Sequence, residues 1–330
     1  MKTICAFSSD HRPLYKGDIY RTLAFPVGHI LHFRYKTKYV DANLRAPNAN
    51  LREKKVVIFY VHGNNAEAPG ELFHVSIRQA KIVDHYVSTD TDVFHVYMQL
   101  GEFCNVQLDS GNSVEKMPGR NFFAELNCTF ETSEANWQAR VTAVKDLLPP
   151  LTYFFIKGIS CGSEDKKLHY SDDMRSCYYQ LSQGRRHILR LAVGNPNTTK
   201  AKIGITEPGK DIAINVVKPL ETSAQFDDFD IPLIVEDLQI FSKPALLSFD
   251  PELEGVKYSE FATNVETRLR SGVAKPALFG LLTTIALGAF TAVQPRNIAA
   301  VNWLPIPCIV AAGFLFWAAT AALYFWFNKK

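Results

Sequence analysis

Two long apolar segments near the end of the chain constrain it more than any other feature. Residues 277–293 and 306–327 carry no charged side chain. A helix that crosses a hydrocarbon core needs about 17–25 mostly apolar residues, and both segments reach that length. Pro295 and Pro305 lie in the short connection between them, and Trp303, Tyr324 and Trp326 sit at segment edges, where amphipathic rings favour the headgroup layer. The pair is expected to form a C-terminal two-helix transmembrane hairpin; a helical hairpin buried inside a soluble domain is the competing possibility. Arg268, Arg270 and Lys275 precede the first segment, Lys329 and Lys330 follow the second, and only Arg296 lies between them. The positive-inside bias then puts both termini in the cytoplasm, in a protein spanning the cell inner membrane twice. At the other end, Met1-Lys2-Thr3 leads into an apolar stretch cut short by Ser8, Ser9 and Asp10, with no secretory pattern.

The remaining residues exceed one domain's usual length. The net charge of +3 is too small to argue for a dedicated nucleic-acid surface. The six cysteines show no paired metal-type spacing and are expected to be free thiols. No metal or cofactor is expected.

The first block, residues 1–130, is expected to be a strand-rich small barrel or rolled sheet. Residues 19–26 and 29–40 look like a hairpin about Val27-Gly28. In the second of these runs Arg34, Lys36 and Lys38 alternate with Phe33, Tyr35, Thr37 and Tyr39, which is the period of a strand. Residues 56–61 form a continuous apolar run of buried-strand length, and residues 92–103 again look extended. Residues 73–82 fit neither period. A helix is expected after Thr132 or Ser133, with Trp137, Val141, Val144 and Leu148 on one face, ended by Pro149-Pro150. The second block, residues 131–255, holds seven short candidate strands separated by turn signals, the pattern of a β-sandwich. Residues 256–275 are expected to form a juxtamembrane stalk, helical over 259–270, leading to the hairpin at 276–330. The expected fold class is therefore a mainly β soluble body followed by the transmembrane hairpin.

Four constellations bear on chemistry. Gly158-Ile159-Ser160-Cys161-Gly162 matches the G-x-S-x-G nucleophile elbow, and the upstream run ending His62-Gly63-Asn64-Asn65 is similar to the oxyanion loop of α/β-hydrolases. Against a hydrolase stand the polar stretch after Gly162, where the elbow needs a helix, and the closeness of His169 and His187 to Ser160. Ser160 is thus the runner-up catalytic residue in a chain expected not to be an enzyme. Asp227-Asp228-Phe229-Asp230 is a carboxylate cluster without the glycine of a calcium loop, and is expected to be a solvated turn. Histidines gather in the first block, but His29 and His32 would face opposite sides of a strand. The last constellation is basic: Arg34, Lys36 and Lys38 on one strand face could meet phosphate, whether of nucleic acid, nucleotide or lipid, as could Arg185 and Arg186 beside a glycine turn.

Within the apolar segments Gly280, Thr284 and Gly288 recur every fourth residue, and Gly313 offers a similar small surface, so these residues are expected to let helices pack closely. A β-rich cytosolic body, a two-helix tail and the absence of a catalytic motif resemble the membrane effectors of prokaryotic antiviral defence, such as those associated with short Argonautes or triggered by cyclic nucleotides. The resemblance is one of architecture. It implies that the body binds a protein partner or small signalling ligand, and that the hairpin homo-oligomerises in the lipid bilayer to disrupt it. The alternatives are a membrane-anchored serine hydrolase using Ser160 and a non-catalytic tether or scaffold.

Overall fold

The computed structural model describes residues 2–46, 48–65, 67, 70–109, 121–133, 135–149, 152–196, 201–214, 220–222, 224–235, 242–253, 256–257, 259–270, 314 and 318. Within these the chain is mainly β. The first sheet uses β1 (Lys2–Ser9), β2 (Ile30–Lys36), β3 (Lys55–His62), β4 (Phe73–Ser88), β5 (Val93–Phe103), β6 (Val106–Leu108) and β7 (Phe123–Phe130), in the order β2-β5-β4-β3-β1-β7-β6. Its centre is a parallel pair, with Ile4 opposite Val56 through Ser9 opposite Val61. Both strands are buried on both faces, which is why their sequences read as unbroken apolar runs rather than alternating ones.

This sheet rolls. Three strands separate β5 from β7, which in a flat sheet means about 19 Å. Yet the Phe94 and Phe123 rings lie 5.3 Å apart. A seam closes the roll, where Phe122 N–H donates to Tyr39 O (2.7 Å) and Asp41 N–H to Phe123 O (2.9 Å), flanking a parallel bridge between Val40 and Phe123.

Helix α1 (Pro13–Ala24) packs against β1, β4 and strands of the second block. Sequence alone suggests a strand over residues 19–26. The helix forms instead because Pro13 sits at its start, and Ile19, Tyr20, Leu23 and Ala24 fall on one buried stripe. Its C-terminal end is held by Arg78, a fully buried side chain on β4. The Arg78 guanidinium donates to Thr22 O (3.1 Å), Phe25 O (2.6 Å) and Gly101 O (2.5 Å), and lies 4.4 Å from the Phe103 ring centroid. Register shifts in β4 on either side of Arg78, against β3 and against β5, mark bulges that turn it inward. They also explain why residues 73–82 follow no simple period.

The second block contains α2 (Trp137–Val144), capped by Asn136, whose side chain accepts from Ala139 N–H (2.8 Å). Trp137, Val141, Val144 and Leu148 are all buried, as their spacing predicts. Strands β8 (Tyr153–Cys161), β9 (Glu164–Asp165), β10 (Leu168–Tyr170), β11 (Cys177–Ser182), β12 (Arg186–Gly194), β13 (Ala201–Thr206), β14 (Ile212–Ile214), β15 (Leu220–Glu221), β16 (Phe226–Val235), β17 (Lys243–Leu253), β18 (Val256–Lys257) and β19 (Thr263–Arg270) follow. They form two sheets, β14-β16-β12-β8-β9 and β10-β11-β19-β17-β13-β15, the latter with β18 against β17. The sheets face each other: Phe154 on β8 stacks on Phe249 of β17 with centroids 5.2 Å apart. Tyr20 of α1 joins the blocks, bonding through its hydroxyl to Thr152 O and packing against Tyr153, Phe154 and Phe261. One cluster of buried apolar side chains runs through both blocks.

Three expectations need correction. Residues 259–270 are not a helical stalk: β19 lies between β11 and β17, with Thr263, Val265, Thr267 and Leu269 buried and Asn264, Glu266, Arg268 and Arg270 exposed. Asp227-Asp228-Phe229-Asp230 is not a turn but part of β16, with Asp228 bonded to Lys157 (2.7 Å). The transmembrane hairpin is not supported, and with it falls the two-span inner-membrane placement. Among the described residues no helix is long and apolar enough to cross a membrane, α1 having 12 residues and α2 having 8. The segment 276–330, with Gly280, Thr284, Gly288 and Gly313, otherwise lies outside the described residues.

Replacing Arg78 strips three carbonyls of this donor at once, those of Thr22 and Phe25 being buried. Arg78→Met is expected to destabilise the fold by about 3–5 kcal/mol, the range for breaking a buried charged network. The measurement is the urea midpoint of the full chain; an unchanged midpoint would show that the carbonyls find other donors.

Candidate ligand-binding cleft

The roll is not sealed along its whole seam. Strand β7 pairs with β1 only from Lys2 to Ala6, with a last backbone bond from Phe7 N–H to Phe122 O (2.8 Å). Strand β1 runs on to Ser9. Between that overhang and the β2 side of the seam lies a cleft of about 860 Å³, within the size range of small-molecule sites.

Three walls come from different parts of the chain. One is the turn from β1 into α1. Ser8 Oγ donates to Tyr15 O (2.9 Å), tying strand to helix, while His11, Arg12, Tyr15 and Asp18 line the space. Arg12 is the N-cap residue without a side-chain cap bond, and the first helical turn contains no acid. The helix start therefore keeps its partial positive charge towards the cleft.

The second wall is the loop after β3. Gly63 has φ +92°, and a Cβ there would lie 2.1 Å from Glu71 O, so no side chain fits. Its N–H donates to Asp10 Oδ2 (2.9 Å), Asp10 N–H donates to Val61 O (3.1 Å), and the His11 ring lies 3.3 Å from Asn64 O. These bonds lace the ends of β1 and β3 together and present Asn64 and Asn65 to the cleft.

The third wall is β2 and the 3-10 turn Thr37–Tyr39, which supply Phe33, Arg34, Tyr35, Lys36, Lys38 and Tyr39. Strand alternation turns Arg34 and Lys36 out and Phe33 and Tyr35 in. Lys36 Nζ donates to Thr91 O (2.9 Å), and Lys38 Nζ lies 4.9 Å from the Tyr39 ring centroid. Asp92 accepts from the Thr37 hydroxyl. No ion pair engages Arg12, Arg34, Lys36 or Lys38 among the described residues.

Two groups in the cleft are electrostatically unusual. Burial raises the pKa of Asp18 to about 6, against the pull of Arg21 and Arg34; Arg21 Nη1 donates to Asp18 Oδ1 at 3.0 Å. Tyr35 is only 7% exposed, and its enclosed hydroxyl has no hydrogen-bond partner. Burial holds its pKa well above the ordinary value, and the nearby Asp18 and Tyr15 add to the effect. A buried polar group left unpaired costs on the order of 1–3 kcal/mol.

Of the residues singled out by sequence, Arg34, Lys36 and Lys38 meet at this cleft. Arg185 and Arg186 do not: they are exposed at the turn between β11 and β12. Ser160 does not sit on an elbow. It lies within β8, 8% exposed, opposite Ile188 and Asp165, and the chain turns at Gly162 into β9 rather than into a helix. Both glycines of the pattern have structural explanations: Gly158 (φ +147°) sits at a register shift and Gly162 (φ +62°) in the hairpin turn. His187 is fully buried, with Nε2 accepting from Ser182 N–H (3.0 Å). Among the described residues no three His, Cys, Asp or Glu side chains are grouped to hold a metal ion. Sequence reasoning missed Arg12, Tyr15 and Asp18; the available signal was Pro13 followed by the helical stripe. Comparison with known protein families and with curated proteins finds no match to this chain.

Asp18 makes stability depend on pH. Its folded pKa of about 6 lies above the unfolded value of about 3.9, so folding favours the protonated form. The associated stability is full below about pH 4 and is lost as pH rises through about 6. Asp18→Asn is therefore expected to raise stability at neutral pH by up to about 2–3 kcal/mol and to leave it nearly unchanged near pH 4. Denaturation midpoints of both proteins across this interval provide the check.

Proposed function

We propose that this protein is a binding module whose rolled sheet recognises a phosphate-bearing ligand, acting as the receptor for a small signal molecule. The observation that carries this is the set of four cations, Arg12, Arg34, Lys36 and Lys38, around one cleft with no ion pair among the described residues. What sets these four apart is their convergence on one concave space; other basic side chains are either paired singly, as Lys157 is with Asp228 and Arg190 with Asp165, or spread over the surface. All four are exposed to water, and their summed field in a concave space attracts an anion, with Asp18 and Asp92 as the carboxylates that share the lining. Arginine suits this role through its planar fork and lysine as a mobile point charge, and the start of α1 adds oriented N–H groups. Asn64 and Asn65 offer neutral donors on the opposite wall. Asp18 opposes an anion when ionised, and that opposition falls away as pH drops through about 6.

Titration calorimetry of the full chain with inorganic pyrophosphate tests the site directly. Binding is expected to weaken as salt rises, because the contacts are largely ionic. Arg34→Ala and the double substitution Lys36→Ala with Lys38→Ala are each expected to reduce affinity at least about tenfold, a loss of about 1.4 kcal/mol. Arg185→Ala with Arg186→Ala is the control and is expected to change nothing. Absence of binding, or binding indifferent to the cleft substitutions, would sink the proposal.

A further inference from the structure

The cleft holds more than a phosphate needs. A phosphoryl group and its donors fill only part of about 860 Å³, and much of the remaining wall is aromatic: Phe7, Phe33, Tyr35, Tyr39 and Phe122. Tyr39 is half-buried and meets Phe122 edge-on with centroids 5.7 Å apart. Rings at a ligand site favour a flat, polarisable group, which they bind by stacking with little dependence on its identity.

An independent observation concerns polarity. The Tyr35 side chain lines the cleft, is more than nine-tenths buried, and has a hydroxyl without a partner. Several enclosed polar atoms lack a partner among the described residues, Tyr153 Oη and Trp137 Nε1 among them. The Tyr35 hydroxyl is the one of these carried by a side chain that lines the cleft, where a ligand can bring the missing group. Close by, the Asp18 carboxyl supplies an acceptor. A donor and an acceptor beside aromatic walls match the edge of a heterocyclic base, which displays both kinds of group. A bare phosphate offers acceptors alone.

We propose that the ligand is a nucleotide, with its phosphate held by Arg12, Arg34, Lys36 and Lys38, its base against the Tyr39 and Phe122 side of the cleft, and the Tyr35 hydroxyl bonded to the base edge. The assignment rests on the phosphate site proposed above and adds what that site cannot supply, a preference for the base.

The experiment measures binding of the four nucleoside 5′-monophosphates with adenine, guanine, cytosine and uracil to the full chain, beside ribose 5-phosphate, which has the same phosphate and sugar without a base. At least one nucleotide is expected to bind about tenfold or more tightly than ribose 5-phosphate. Tyr35→Phe is expected to cut that preference on the order of fivefold while leaving ribose 5-phosphate binding unchanged. Because Tyr35 lies in the core, the half-buried Tyr39→Leu is the second variant and is expected to reduce the same preference. If all four nucleotides bind no better than ribose 5-phosphate, the nucleotide assignment is overturned and the phosphate site stands. If neither nucleotides nor ribose 5-phosphate nor pyrophosphate bind, both are overturned.

Discussion

The buried guanidinium of Arg78 is the contact on which the arrangement of this protein depends. A charge without an ion-pair partner is costly in a protein interior, and burial pushes its pKa down to about 9 against the pull of Glu102. The charge is tolerated because three carbonyls accept from it and the Phe103 ring lies against it. Two of those carbonyls, Thr22 and Phe25, belong to the end of α1, where carbonyls lack partners and the helix dipole favours a cation. Arg78 thus fixes the helix against the sheet at one end, while the Ser8 to Tyr15 bond fixes it at the other.

With α1 held at both ends, its start has a fixed place at the gap in the seam. The cleft is a consequence of strand lengths: β1 outruns β7, and the β2 edge turns away through the 3-10 turn before meeting Phe122 and Phe123. Its polar walls cost the fold little, since Arg34, Lys36 and Lys38 are exposed to water. The expense lies instead in Asp18 and Tyr35, two groups whose polar ends are held where water is scarce.

Much of the second block was legible because strong turn signals divide it: strands β11, β12, β13 and β17 fall on runs that the sequence marks out, whereas β16 begins in the acidic stretch that reads as a turn. The alternation of Arg34 and Lys36 with Phe33 and Tyr35 was equally plain. Strand β1 was not, because a strand buried on both faces shows no alternation and resembles a broken leader. Strand β19 does alternate, but its outward residues, Asn264, Glu266, Arg268 and Arg270, made the whole stretch look like a polar helix. Bulges around Arg78 erased the period of β4. The cleft as a whole was illegible for a different reason: Ser8, Arg34, Asn64 and Phe122 lie far apart in sequence, and only the closure of the roll brings their neighbourhoods together. Apolar length in the last segments set an expectation of spans, and length and composition alone do not establish a membrane helix.

The position of β19 carries a consequence for how the protein is made. It lies inside its sheet, pairing in parallel with β11 on one side and antiparallel with β17 on the other. The ladder from β10 to β15 is therefore cut in two until residue 270 has left the ribosome. Until then β11 and β17 present unpaired edges to the cell, whereas every strand of the rolled sheet has already been synthesised by residue 130. A nascent chain stalled between these points exposes half-built sheet, and that interval of translation is where a chaperone has most to protect.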